Sequence, residues 1–100
     1  MIKWGIIGAG HIAQRFARSL AHSNQGKLYA VASHTVTKLD LFTEEYPGIS
    51  TYTDYMQILE DQNVDVVYIA LRHKDHYKWA KEALLNKKAV LCEKPATLSV

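Results

Sequence analysis

Residues 2–13 read Ile2-Lys3-Trp4-Gly5-Ile6-Ile7-Gly8-Ala9-Gly10-His11-Ile12-Ala13. A short apolar run gives way to two glycines and continues at once into a helical pattern. A strand that ends on glycines and feeds a helix leaves backbone N–H groups converging on one spot, where a phosphate group fits. In such a turn Gly8 permits the tight bend and Gly10 lets the backbone approach a pyrophosphate with no Cβ in the way. Ala13, where glycine is the commoner form, is small enough for the helix to pack close on the strand. Glycines also end strands for purely conformational reasons, so G-x-G-x-x-A alone is a weak signal. Its place between the first strand and the first helix makes dinucleotide binding the stronger reading.

Working outward, the chain alternates between the two periodicities. After the strand at residues 2–7, Ile12, Phe16, Ala17 and Leu20 recur at helical spacing until Ser23-Asn24-Gln25-Gly26 ends the helix. Residues 28–32 form a second strand, and Thr35 is placed to cap a second helix with Leu39 and Phe42 on its apolar face, stopped by Pro47-Gly48. A brief third strand at residues 50–52 leads to Asp54, which opens a third helix with Gln57 three residues on, a capping-box pattern, and with Ile58 and Leu59 on the buried side. Residues 64–70 carry enough valine and isoleucine for a strand buried on both faces. A helix through Ala80, Ala83 and Leu84 follows, then a fifth strand at residues 89–92 that runs into Glu93-Lys94-Pro95. Strand and helix alternating five times predict an α/β fold: a Rossmann-type parallel sheet with helices on both faces and right-handed crossovers, occupying residues 1–100 as one domain.

Ligands of such sheets bind beyond the carboxyl ends of the strands. The loops Gly8 to Ile12, Ser33 to Lys38, Leu71 to His76 and Glu93 to Pro95 are therefore expected to converge on one crevice. The end of the second strand selects between cofactors, because an NAD-preferring site places an acid there for the ribose 2′-hydroxyl. Here that place holds Ser33-His34-Thr35, with Lys38 one turn on and no acid before Asp40. A hydroxyl, an imidazole and an ammonium favour a 2′-phosphate, which makes NADP the expected cofactor and NAD the second choice. The alternative is that Ser33 and Thr35 simply cap the helix.

Composition limits the partners. A net charge of +2, from 12 basic and 10 acidic side chains spread along the sequence, leaves no electrostatic footprint for nucleic acid or an anionic membrane. The single cysteine, Cys92, cannot form an internal disulfide and lies in an apolar run, which fits a reducing compartment. No stretch approaches the ~18 consecutive apolar residues of a membrane span, and no basic leader with an apolar core opens the chain, so a cytoplasmic protein is expected. His73, Asp75 and His76 form the one close cluster of possible metal ligands, but without a cysteine pair or an H-E-x-x-H pattern they read as a polar loop end and no metal is expected. His22 is expected near the carboxyl end of the first helix, where positive charge is favourable. Lys94 emerges from the fifth strand into the expected crevice; an ammonium there can donate to a substrate oxygen or exchange a proton, although spacing alone describes a surface lysine equally well.

Taken together, WGIIGAGHIA, AVASH, VDVVYIALRHKDH and AVLCEKP resemble, in register, the N-terminal domain of the Gfo/Idh/MocA family, the glucose–fructose oxidoreductase and inositol dehydrogenase group. AVLCEKP is also close to the form seen in its dihydrodiol and D-xylose dehydrogenase branch. The resemblance implies that Lys94 is the catalytic lysine near nicotinamide and substrate, involved in proton transfer, with Glu93 lining the cofactor site. It places Gly8, Gly10, His11 and Ile12 at the pyrophosphate turn, Ser33 and His34 where Ser-Arg commonly marks NADP use, and His76 at the family's histidine after the fourth strand.

Two departures stand out. The family's Thr-Pro-Asn or Thr-Pro-His is replaced by Leu71-Arg72-His73, which puts Arg72 near the nicotinamide edge and keeps His73 as a polar position. The usual Gly-Lys before the fifth strand is Lys87-Lys88, so Asn86 is expected to take the left-handed cap conformation. The implied activity is that of an NADP-dependent oxidoreductase moving a hydride between nicotinamide and a carbinol carbon of a sugar, polyol or related diol. This chain would be its cofactor-binding domain, alone inactive, with a substrate domain beyond Val100 through which the whole protein forms a homo-oligomer. A non-catalytic module that senses NAD(P) is the alternative.

Overall fold

A computed structural model of the chain describes residues 2–23, 26–71 and 73–92, with the side chains of His73 and Cys92 outside that description. Its elements run β1 (Ile2–Ile7), α1 (His11–Ala21), β2 (Gly26–Ala32), α2 (Val36–Glu45), β3 (Ser50–Tyr52), α3 (Tyr55–Leu59), β4 (Val66–Ile69), α4 (His73–Leu85) and β5 (Ala89–Cys92). All five strands are parallel and lie in the order β3-β2-β1-β4-β5. The expected Rossmann-type α/β sheet is therefore the observed one.

Alternation along the inner strands sorts the core into two layers. Ile6, Val31 and Tyr68 face α1 and α2, packing with Ala13, Ala17, Leu39 and Phe42. Their sequence neighbours Ile7, Ala30, Ala32 and Val67 face the other way, against Tyr55, Ile58 and Leu59 of α3 and Ala83 of α4. A strand with both faces covered must be apolar without interruption, which is why residues 66–69 are all hydrophobic.

Several boundaries and faces differ from the sequence reading, each for a physical reason. The second strand starts at Gly26 rather than Leu28, because Gly26 and Lys27 pair with Ile2 and Lys3. The fourth is shorter than residues 64–70, because the Val64 N–H donates to the Asp61 carbonyl at 3.1 Å and closes a turn. Ile12 is 45% exposed, and the buried row of α1 is Ala13, Ala17 and Leu20. The small Ala13 and Ala17 of that i, i+4, i+7 row let the first turns of the helix approach the sheet, and the larger Ile12 is displaced to the rim. Leu84 likewise points to solvent, leaving Ala83 as the residue that α4 buries.

Two helix ends show how the loops are fixed. The Asp54 carboxylate accepts from the Met56 N–H at 3.0 Å and starts α3 one residue short of the capping-box geometry. At the end of α4 the left-handed residue is Lys87, with φ 63°, not Asn86. The Lys88 N–H donates to the Ala83 carbonyl and the Lys87 N–H to the Leu84 carbonyl, both at 3.0 Å, a Schellman closure whose register assigns the left-handed position to residue 87. Asn86 instead donates its side-chain amide to the Glu82 carbonyl. Lys88 follows with its side chain buried, donating from Nζ to the carbonyls of Asp61 at 2.6 Å and Val64 at 2.8 Å, which ties the start of β5 to the loop before β4. On the same loop the Asp61 carboxylate accepts a 2.6 Å bond from the Tyr52 hydroxyl, which pushes that phenol up to about 12 and joins β3 to the assembly. Among the described residues no helix is long and apolar enough to cross a membrane.

A non-glycine residue at positive φ is strained, so Lys87→Gly is expected to stabilise the domain by about 1 kcal/mol, a rise of roughly 5 °C in melting temperature. Thermal unfolding followed by circular dichroism checks this.

Candidate dinucleotide site

The strand order reverses direction at β1: the chain steps outward through β2 and β3, then returns to lay β4 and β5 on the opposite side. Crevices form at such switch points, beyond the carboxyl ends of the strands. Three hydrogen bonds carry the parallel ladder one residue past the strands and bring the loops out at one level. They run from Gly8 N–H to Ala32 O at 2.8 Å, from Ala70 N–H to Ile7 O at 2.9 Å and from Ser33 N–H to Tyr52 O at 3.0 Å. Between these loops lies an open cleft of about 530 Å³.

The two glycines of the turn do different work. Gly8 has φ +103°, and a Cβ there would meet the Ala70 carbonyl oxygen at 2.6 Å, so the fold itself demands glycine. Gly10 has φ −89° and ψ −160°, which any residue adopts, and a Cβ there would meet no protein atom within 4 Å. Nothing in the protein requires glycine at that position, while a ligand against the backbone would. Gly10 is also the N-cap of α1, without a side-chain cap and without an acid in the first turn, so the free N–H groups of that turn face the cleft mouth with their partial positive charge uncompensated.

The opposite wall comes from the end of β2. Ser33 is buried, and its Oγ accepts from the Thr35 N–H at 3.0 Å. Thr35 occupies the N-cap position of α2 as expected, but its own hydroxyl makes no capping bond. His34 is exposed, with its ring stacked on Tyr55 at 4.2 Å and 12°. Trp79 braces Tyr55 edge-on at 5.1 Å and 87°, and Lys78 Nζ lies 5.1 Å from the centre of the Trp79 ring. Burial first, and then the Asp75 carboxylate, raise the Tyr55 phenol above its ordinary value, which keeps it neutral. Among the described residues of the lining, two lysines, Lys38 and Lys78, stand against the carboxylate of Asp75, a balance that suits an anion.

Of the residues singled out in the sequence, Gly8, Gly10, Ser33, His34, Lys38 and Leu71 line this cleft together. His11 and Ile12 form the first turn of α1 with exposed side chains, and neither they nor His76 in α4 belong to the lining. Arg72, Glu93, Lys94 and Pro95 lie outside the described residues, as does the side chain of His73. Among the described residues no three His, Cys, Asp or Glu side chains gather as a metal site requires. Asp75, within the expected loop Leu71 to His76, lines the cleft as well, and Tyr55, Lys78 and Trp79 line it without having been singled out. A signal existed for Tyr55, which opens α3 three residues after the end of β3 and so must lie at the carboxyl edge of the sheet. Trp79, deep in a helix with polar neighbours, offered none.

Comparison with known proteins places this geometry. The model of the Gfo/Idh/MocA group, described as an oxidoreductase family with an NAD-binding Rossmann fold, matches residues 2–100. The chain belongs to this family. As a Gfo/Idh/MocA member it is 35% identical over 96 residues to the trans-1,2-dihydrobenzene-1,2-diol dehydrogenase of Mus musculus, a match covering 94% of this chain and 29% of that protein. It is similar in structure to KijD10, a 3-ketoreductase from Actinomadura kijaniata solved with NADP and TDP-benzene, with TM-score 0.87 and 36% identity over 96% of this chain and 30% of the other. The scyllo-inositol dehydrogenase of Lactobacillus casei, solved with NAD(H) and scyllo-inositol, superposes with TM-score 0.87 at 29% identity, covering 99% of this chain and 29% of that one. The chain thus spans under a third of the length of each of these relatives.

Because Gly8 is required by the fold and Gly10 is not, their alanine variants are expected to separate. Gly8→Ala should cost at least about 3 kcal/mol through strain and the clash with the Ala70 carbonyl, whereas Gly10→Ala should cost under about 1 kcal/mol. Urea unfolding of both variants reads the difference.

Proposed function

We propose that this chain is the cofactor-binding domain of an NADP-dependent oxidoreductase that moves a hydride between the nicotinamide and a carbinol carbon of a sugar, polyol or related diol. The observation that carries the reading is Gly10: glycine at an unstrained position, beside open space, at the uncapped start of α1. A pyrophosphate fits there, held by the backbone N–H groups of the first turn. The bound cofactor supplies the hydride; the chain's own part is to bind and orient it.

NADP rather than NAD is supported by the absence of an acid after β2 and by Ser33, His34 and Lys38 along one wall. The KijD10 complex with NADP is consistent with this choice, and the inositol dehydrogenase with NAD(H) is the reason that it needs a test. Lys94 is assigned the catalytic role on the family match at AVLCEKP, acting on the substrate oxygen, with Glu93 beside it in the cofactor site. The remaining contacts to substrate belong to a second domain outside residues 1–100, through which the whole protein associates with copies of itself. The reaction is therefore that of the whole protein, not of this domain alone.

Calorimetric titration of the domain is expected to show binding of both dinucleotides, with NADP the tighter, and binding of each should fall at least about tenfold in Gly10→Ala while the fold persists. Unchanged affinity in that variant would remove the pyrophosphate assignment. In the whole protein Lys94→Ala is expected to lower turnover by at least about 100-fold with NADP affinity nearly unchanged. Undiminished turnover would return the chain to the reading of a non-catalytic sensor of NAD(P).

A further inference from the structure

His34 is the first residue past β2 whose side chain reaches solvent, since Ser33 before it is only 5% exposed. Its ring does not move freely over the cleft. One face lies on Tyr55 at 4.2 Å, and Tyr55 is itself held edge-on by Trp79. Imidazole N–H groups lie in the ring plane, so stacking on Tyr55 covers a ring face without covering those groups.

Among the described residues, the charged and titratable groups that share the lining with His34 are Lys38 from α2, Tyr55 from α3, and Asp75 and Lys78 from α4. Burial and then the Asp75 carboxylate move the Tyr55 phenol further above the range between pH 5 and 8. Imidazole is the side chain that changes charge within it. Among the described residues His34 is the imidazole of this lining, and it occupies the position that reads the ribose 2′ substituent in sheets of this type.

We propose that His34 is a specificity-determining residue that makes the preference for a 2′-phosphorylated over an unphosphorylated dinucleotide depend on pH, strengthening it as the imidazole gains its proton. The proposal rests on the reading that the cleft takes a dinucleotide with its ribose beyond β2. Neutral imidazole offers the phosphate one N–H donor; imidazolium adds a positive charge beside Lys38 and leaves a ligand with a plain 2′-hydroxyl nearly unaffected. Arginine in the same place would be charged throughout and give no such dependence. A phosphate monoester also takes up a proton near pH 6, so the gain is greatest just above that point and declines below it.

The test is calorimetric titration of the 100-residue chain with NADP and with NAD at about pH 6.3 and about pH 8.0 at constant ionic strength, for the natural sequence, His34→Gln and His34→Arg. The ratio of the NAD to the NADP dissociation constant is expected to be about fivefold larger at the lower pH in the natural chain, as for one partly exposed ion pair. It should not rise in His34→Gln, and in His34→Arg it should be high at both values. Because residue 34 is exposed, both variants keep the fold, which far-UV circular dichroism verifies. A ratio that is flat in the natural chain, or that rises equally in His34→Gln, overturns the inference and leaves the dinucleotide reading intact. Failure of all three proteins to bind either dinucleotide overturns both.

Discussion

The close approach of Gly8 to the Ala70 carbonyl is the constraint on which the rest depends. It arises where β1 lies between β2 and β4, with Gly8 bonded to Ala32 on one side and Ile7 to Ala70 on the other. The chain has to leave β1 at positive φ to clear β4, and only glycine does so without striking a backbone oxygen 2.6 Å away. That exit directs the next residues toward the start of α1, while Ala13 and Ala17 draw the helix down onto the sheet. The orientation of the helix amino terminus over the crevice follows from packing, before any ligand is involved.

The site assembled on this frame divides into two parts. Around Gly10 it is made of backbone, with free N–H groups and open space, and it can recognise a phosphate without a charged side chain. Beyond β2 it is made of side chains: Ser33 engaged with the Thr35 N–H, His34 laid on Tyr55, and Lys38 one helical turn on. The first part fits any dinucleotide. Under the proposed function discrimination is assigned to the second, where polar groups differ in what they offer a 2′-hydroxyl and a 2′-phosphate.

Much of this was legible in the sequence because the signals were local. The alternation of apolar runs and helical spacing predicted five parallel strands, and the loops after β1, β2 and β4 located Gly8, Gly10, Ser33, His34, Lys38 and Leu71 of one cleft. What escaped depended on contacts distant along the chain. Trp79 joins the site only because α4 packs beside α3, a tertiary relation invisible from its polar neighbours. Ile12 matched the helical period as well as Ala13 did, and the choice between them was made by how near the helix can approach the sheet. Asn86 was the better left-handed residue by propensity, but the Schellman register placed Lys87 there, and the buried bonds of Lys88 to two carbonyls hold that register. The sequence already separates Gly8, at the tight bend, from Gly10, at the approach to a pyrophosphate; the space around each adds that the fold itself requires the first and leaves room beside the second.

The central claim is that the first turn of α1 and the end of β2 bind one dinucleotide between them. Amide chemical-shift mapping by NMR on the 100-residue chain, titrated with NADP, tests it most directly. The account predicts the largest shifts at the amides of Gly10, His11, Ile12, Ser33 and His34, all moving with a single dissociation constant. Shifts confined to the groove at the other end of the sheet, around Gly26 and Tyr46, or no shifts at Gly10 and His11 on saturation, would contradict it.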